Sequence, residues 1–126
     1  MITIFCDIDG TILEWVKGSM PMGVGDSDDV QKPLKGSMEK LFEWHLLGYR
    51  VILVTSRPMS MKDITIKQLA EAGAVYNDLI MDVGVGHRVL INDMHNGLET
   101  AHAINIQRNE GIKGLDLQVD HSKKDE

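Results

Sequence analysis

Two carboxylates lie one residue apart directly after a short apolar run near the N-terminus. Residues 2–6 are followed by Asp7-Ile8-Asp9-Gly10-Thr11. On a β-strand, side chains two residues apart point to the same side, so Asp7 and Asp9 would form one acidic cluster. Like charges this close repel unless a cation or a shared proton lies between them. Oxygen ligands at the end of a buried strand therefore indicate a divalent cation, with Mg²⁺ as the first choice.

Two other interpretations of this segment are weaker. Asp and Gly also dominate ordinary turns, where they need no metal. An EF-hand calcium loop requires Gly at its sixth position and Glu at its twelfth. Counted from Asp7, those positions hold Ile12 and Gly18, so the segment is not an EF-hand.

Length and composition are those of an ordinary globular domain. The chain has 126 residues, of which 43% are hydrophobic and 25% charged, and its formal net charge is −6. An acidic chain is a poor match for long nucleic acid, which attracts basic surfaces. With one cysteine, Cys6, no intramolecular disulfide forms, which fits a reducing compartment. We expect a cytoplasmic protein without a secretion signal or membrane span.

The hydrophobic pattern alternates between helices and strands. A loop at 14–33 is rich in Gly, Pro and Asp, and such long loops are often lids over a site or flexible flaps. The pattern then predicts helices from Ser37 to Gly48 and from 61 to 72, and strands at 51–54, 79–81, 88–91 and 101–106, with a helical turn as the alternative for 101–106. We interpret 1–115 as one domain and 116–126 as a polar tail.

Strands that alternate with helices predict an α/β domain with a parallel sheet of about five strands, a Rossmann-like three-layer sandwich with little or no cap. Ligands of such sheets bind at the carboxyl ends of the strands. Polar pairs follow three of the predicted strands, so one edge of the sheet should gather them. The pairs are Asp7/Asp9, Thr55/Ser56 and Asn92/Asp93.

These motifs resemble those of the haloacid dehalogenase-like (HAD) superfamily. Asp7-Ile8-Asp9-Gly10-Thr11 is similar to its first motif, Val51-Ile52-Leu53-Val54-Thr55-Ser56-Arg57 to its second, and Val89-Leu90-Ile91-Asn92-Asp93 to its fourth. The resemblance spans roughly residues 2–106. Within the family, it is closest to small members without a large cap.

The resemblance implies a role for each matching residue. Asp7 would be the nucleophile that forms an aspartyl-phosphate, and Asp9 the general acid and base. Mg²⁺ would be held by Asp7, Asp9 (through its backbone carbonyl) and Asp93. Thr55 would hold the phosphoryl oxygens. Four further residues are candidates for substrate binding: Gly10, Thr11, Ser56 and Arg57.

One departure from the family concerns the lysine of its third motif. Residues 82–88, the matching region, contain no Lys. Arg88 is the first candidate to replace it, because the planar guanidinium suits phosphate well. Lys62 or Lys67, on the second predicted helix, are the alternatives.

A second departure is Asn92, which precedes Asp93 where the family often has an acid. The loss of one charge predicts weaker metal binding with a water-mediated contact. Neither departure removes Asp7, so we expect an active enzyme.

The predicted function is Mg²⁺-dependent hydrolysis of a small phosphorylated metabolite, such as a sugar or nucleotide phosphate. Three alternatives stay open: a non-catalytic module that binds metal or phosphate, a phosphotransferase, and a phosphatase acting on a phosphorylated nucleic-acid end. We expect no membrane partner.

Overall fold

A computed structural model describes residues 1–17 and 31–117 of the chain. Most of the predicted flap at 14–33 and most of the predicted tail at 116–126 lie outside the described residues. In the described part, no helix is long and apolar enough to cross a membrane.

The described residues build a parallel three-stranded sheet with two α-helices. In chain order the elements are β1 (Thr3–Asp7), α1 (Ser37–Leu46), β2 (Arg50–Val54), a 3₁₀ turn (Met59–Met61), α2 (Lys62–Ala72) and β3 (Asp78–Ile80). The strand order is β1-β2-β3. Asp7 pairs with Val54, which pairs with Ile80, so the three strands end level with one another. This confirms the predicted α/β class with a parallel sheet.

Both helices form where their sequences predict them. Met38, Leu41 and Trp44 recur every third residue in α1 and are buried, as expected for a helix packed on one face. The helix α2 is capped at its C-terminus by Gly73. Its φ of 84° is left-handed, a conformation that glycine adopts without steric strain. Its N–H bonds to the carbonyl of Ala70 and so closes the helix.

The main core joins both helices to the sheet and to the segment after β1. Val51 and Leu53 of β2 and Leu69 of α2 are at most 1% exposed. Cys6 of β1 belongs to the same cluster, where burial, together with the charge of Asp7, raises the pKa of its thiol to about 12. Burial thus favours the protonated thiol, which is a much poorer nucleophile than the thiolate.

The prediction of about five strands is wrong for the described residues. Residues 88–91 and 101–106 adopt no strand, and Val89 and Ile91 are 82% and 91% exposed. A β-branched run becomes a strand only where a neighbouring strand accepts and donates its backbone hydrogen bonds. Residues 88–91 have no such neighbour among residues 1–17 and 31–117. Phe5 and Ile80, on one face of the sheet, are 53% and 45% exposed. The described residues therefore leave that face half covered, and the predicted third layer is incomplete there.

Candidate active site

A tight turn directly after β1 positions the two carboxylates of the candidate site. Asp7 is the last residue of β1, and Asp9 lies in the turn. The carbonyl of Ile8 accepts three main-chain hydrogen bonds, from Thr11, Ile12 and Leu13, at 3.1, 2.9 and 3.0 Å. Gly10 has a φ of 85°, a left-handed conformation that the turn requires and that glycine adopts easily. Ile8, Ile12 and Leu13 are 0% exposed, so the turn is anchored in the core. Asp7 and Asp9 are thus fixed by main-chain geometry.

Asp7 is the more open of the two carboxylates. Its Oδ2 accepts a hydrogen bond from Thr11 Oγ1 at 3.2 Å, and its Oδ1 accepts one from Arg88 Nη1 at 3.0 Å. The side chain of Asp7 is 35% exposed and that of Arg88 is 39% exposed. The structure thus brings together three predicted site residues, Asp7, Thr11 and Arg88, and it gives Asp7 access to solvent.

Asp9 is held by a buried arginine. Arg57 Nε donates to Asp9 Oδ2 at 2.9 Å and Arg57 Nη2 donates to Asp9 Oδ1 at 2.8 Å, a bidentate pair. The side chain of Arg57 is 0% exposed and that of Asp9 12% exposed. Paired hydrogen bonds of this kind fix the plane of a carboxylate as well as its position. Asp9 therefore has one orientation, set by Arg57.

The remaining donors of Arg57 are also used. Nη1 donates to Thr65 Oγ1 at 3.0 Å and to Gln68 Oε1 at 2.7 Å, both on α2. Nη2 donates to Gln31 Oε1 at 2.7 Å. All five N–H groups of the guanidinium have acceptors, so none is left for a substrate. The structure places Arg57 out of the pocket, buried and hydrogen-bonded to Asp9, and its predicted contact with substrate stays a prediction.

Thr55 and Ser56 lie beside Arg57 and not in the pocket. Thr55 is 1% exposed, and its Oγ1 accepts a hydrogen bond from the Arg57 N–H at 3.1 Å. Its own N–H donates to the carbonyl of Ile80 at 3.0 Å, which ties the end of β2 to β3. Ser56 is partly buried. In this arrangement Thr55 shapes the turn that presents Arg57, and its predicted contact with phosphoryl oxygens stays a prediction.

A pocket of about 250 Å³ opens over the two carboxylates. Its lining consists of Asp7, Asp9, Gly10, Thr11, Ile106 and Arg108. Four of the six were predicted from the sequence. Ile106 and Arg108 were not, since they follow no recognisable motif and approach the site only through the fold. The signal that could have indicated Arg108 is its basic charge alone.

The predicted third metal ligand is placed elsewhere. Asp93 does not line the pocket, and its side chain is 81% exposed and lies 3.8 Å from His95 Nε2. Asn92 donates to the Asp93 carbonyl at 3.1 Å and to Thr100 Oγ1 at 2.8 Å. Among residues 1–17 and 31–117, no three His, Cys, Asp or Glu side chains are grouped to hold a metal. The strand expected to carry Asp93 to the sheet edge does not form, and this is the physical reason.

The donor chemistry of the pocket nevertheless suits Mg²⁺ in part. Asp7, Asp9 and Thr11 all offer oxygen atoms, which this ion prefers. The side chain of Asp7 is 35% exposed and that of Asp9 only 12%, so Asp7 is the carboxylate more accessible to a cation. Mg²⁺ is commonly held by one or two carboxylates together with substrate phosphate and water, and the pocket fits that pattern.

Comparison with solved structures supports the fold. A structural-genomics target from Vibrio cholerae superposes with a TM-score of 0.50 at 18% identity, covering 74% of this chain and 80% of the other. A D,D-heptose 1,7-bisphosphate phosphatase from B. bronchiseptica, crystallised with magnesium and phosphate, gives a TM-score of 0.47 at 19% identity. That match covers 68% of this chain and 52% of the phosphatase, so the chain spans about half of that protein.

No family model and no curated protein matches the chain significantly. The first of the two structural matches shows a shared fold, since its identity is too low to carry function. The likeness shows the fold alone, and the HAD-like resemblance rests on the sequence motifs.

Proposed function

We propose that this protein is a Mg²⁺-dependent phosphomonoester hydrolase that acts through an aspartyl-phosphate at Asp7. The observation that carries the proposal is the contrast between its two carboxylates. Asp7 is one-third exposed in a pocket, whereas Asp9, two residues on, is locked in place by a buried arginine. An accessible carboxylate beside a shielded, firmly oriented one is what a nucleophile and a proton-transfer group require.

Asp7 would attack the phosphorus atom of a bound ester. A bond forms between an Asp7 carboxylate oxygen and phosphorus, and the bond from phosphorus to the ester oxygen breaks. Asp9, after taking up a proton from solvent, would give it to the departing alkoxide. It would then take a proton from the water whose oxygen bonds to phosphorus as the bond from phosphorus to Asp7 breaks. Each Asp9 oxygen accepts one hydrogen bond from Arg57 and keeps a lone pair for that proton.

Thr11 and Arg88 would orient the nucleophile and receive the phosphoryl group. Both contact Asp7 from different sides, Thr11 at Oδ2 and Arg88 at Oδ1. Asp7 would hold Mg²⁺, which would supply screening of the repulsion between the Asp7 carboxylate and the substrate phosphate. A ligand role for Asp93 stays a prediction. The small pocket favours a small phosphorylated metabolite, whose phosphoryl group enters while the rest projects outward.

Phosphate release from a panel of phosphomonoesters, with and without Mg²⁺, tests the proposal. We expect release that requires Mg²⁺ and a phosphoryl adduct on Asp7 when the reaction is quenched in acid. Addition of EDTA serves as the matched control. Adduct formation without release would indicate phosphotransfer, and binding of phosphate without either would indicate a non-catalytic module. Each of these two outcomes would contradict hydrolysis.

Arg88 supplies a second expectation. Arg88→Gln should lower kcat/KM about 10- to 100-fold, because it removes the cation that faces both Asp7 and an incoming phosphoryl group. Arg88→Lys should keep part of the activity, since it restores the charge without the planar fork. The free energy of unfolding should change by less than about 1 kcal/mol, because this ion pair is more than one-third exposed.

Arg50→Gln is the matched control for Arg88. Arg50 also pairs with an aspartate, Asp78, but at the beginning of β2 and β3, the opposite end of the sheet from the pocket. Steady-state kinetics on both variants separates the effect of losing a cation beside Asp7 from the effect of losing any exposed ion pair. Equal kcat/KM values for Arg88→Gln and Arg50→Gln would remove Arg88 from the site.

A further inference from the structure

Arg108 differs from the other arginines in its charge environment. Three of the four arginines in the chain pair with an aspartate: Arg50 with Asp78, Arg57 with Asp9, and Arg88 with Asp7. Within residues 1–17 and 31–117, Arg108 pairs with no carboxylate. The two acids of the pocket are therefore each matched by another arginine, and Arg108 adds a positive charge to the pocket wall that no described carboxylate neutralises.

The guanidinium of Arg108 is held in position. Its Cζ lies 4.0 Å from the centroid of the Trp15 ring, a cation–π arrangement. Asn109 joins this tryptophan through two hydrogen bonds, accepting from the Trp15 N–H at 2.7 Å and donating to the Trp15 carbonyl at 2.9 Å. The Asn109 N–H also donates to the carbonyl of Gly10 at 2.8 Å. These bonds fasten the Arg108 segment to the turn that carries the nucleophile.

The side chain of Arg108 also packs closely against Gly10. A Cβ built on Gly10 would lie 3.2 Å from Arg108 Cγ, so the arginine stem packs directly against the turn. The pocket, at about 250 Å³, is smaller than the ~300–1,000 Å³ typical of sites that enclose a drug-sized ligand. A substrate whose phosphoryl group reaches Asp7 must therefore extend past this wall.

We propose that Arg108 is a specificity-determining residue that binds a second oxyanion of the substrate, a phosphate or carboxylate group placed a few bonds from the scissile phosphate ester. The proposal rests on the proposed function for the position of that ester. Its own support is the unmatched charge of Arg108, the fixed guanidinium and its place in the pocket lining. Packing against Trp15 alone would account for the stacking, but not for a cation placed in the wall of an acidic pocket.

Binding of two non-hydrolysable ligands tests this role without requiring turnover. Propane-1,3-diphosphonate carries two oxyanions, and propylphosphonate carries one on a chain of the same length. Isothermal titration in excess Mg²⁺ should show the diphosphonate binding wild type about 10-fold more tightly, as expected for one partly solvated charge-assisted hydrogen-bonded contact. In Arg108→Gln this preference should fall below about 2-fold, while Arg108→Lys should retain part of it.

Arg50→Gln should keep the full preference, because that arginine lies at the far end of the sheet. Equal binding of the two ligands to wild type, an unchanged preference in Arg108→Gln, or no binding of either ligand would each overturn the proposal. Failure of the proposed function appears separately, as absent phosphate release alongside an Arg108-dependent preference. Circular dichroism of each variant establishes that the fold is intact.

Discussion

Phosphate release by Asp7→Asn should fall at least about 10³-fold below that of wild type, because asparagine keeps the size of the side chain but is not a nucleophile. The expected loss is in kcat, since the covalent step itself disappears. Acid quenching should show no phosphoryl adduct. Phosphate detection over long incubations measures the residual rate.

Stability should not explain this loss. Asparagine can still accept from Thr11 or Arg88, and the ion pair with Arg88 is partly exposed, so the free energy of unfolding should shift by less than about 1 kcal/mol. Asp78→Asn is the matched control, as it also breaks an exposed arginine pair. If Asp7→Asn retained more than about a tenth of the wild-type rate, a covalent role for Asp7 would be excluded.

Arg57→Met should destabilise the fold by about 3–5 kcal/mol, because it leaves a mostly buried carboxylate without its partner. The acceptors on Gln31, Thr65 and Gln68 lose their donor as well, which adds to the cost. Urea unfolding monitored by fluorescence gives the value. The same substitution in an Asp9→Asn background should cost at least about 1 kcal/mol less, since no buried charge is then left unpaired.

Equal costs in the two backgrounds would show that the Arg57–Asp9 pair carries little coupling. The same double-mutant cycle, made of Arg57→Met and Asp9→Asn, also shows why Asp9→Asn alone is a poor test of the chemical role of Asp9. That substitution leaves the buried Arg57 guanidinium without a carboxylate, so any activity loss would combine proton transfer with destabilisation. Asp7→Asn does not have this defect.

Arg57→Lys addresses the chemical role in a variant that retains the charge. An ammonium cannot hold both oxygens of Asp9 in the planar bidentate geometry, so Asp9 should lose its fixed orientation. Hydrolysis of an alkyl phosphate, whose leaving group needs a proton, should fall about 10- to 100-fold. Hydrolysis of para-nitrophenyl phosphate, whose leaving group departs as an anion, should fall less than about 3-fold. Equal losses on both substrates would mean that Arg57 is structural only.

The sequence predicted those parts of the site that depend on local geometry. Asp7, Asp9, Gly10 and Thr11 all lie on one strand end and one turn, whose conformation follows from alternation and from a glycine that tolerates positive φ. The two helices also follow from local periodicity. Arg88 was a candidate only through the family resemblance, and its contact with Asp7 comes from the structure.

Long-range contacts were not predictable in the same way. Arg57 was expected to face the substrate, but its five donors find partners on α2, at Asp9 and at Gln31, and such a network is invisible to spacing rules. Arg108 approaches Gly10 from almost a hundred residues away. The strand expected at 88–91 failed for a related reason, since β-propensity does not determine whether a partner strand is available.

The base of the segment 18–30 is closed by main-chain hydrogen bonds. The Glu14 N–H donates to the Lys32 carbonyl at 2.8 Å, and the Leu34 N–H donates to the Ile12 carbonyl at 2.9 Å. An insertion between these two closed ends changes the loop-closure entropy only slowly with length, by about 0.6 kcal/mol for each doubling. Segment 18–30 can therefore be lengthened, shortened or exchanged between related proteins without moving Asp7 or Asp9. In evolutionary terms, we expect the closed base to let the length of this segment vary at little cost to the rest of the fold.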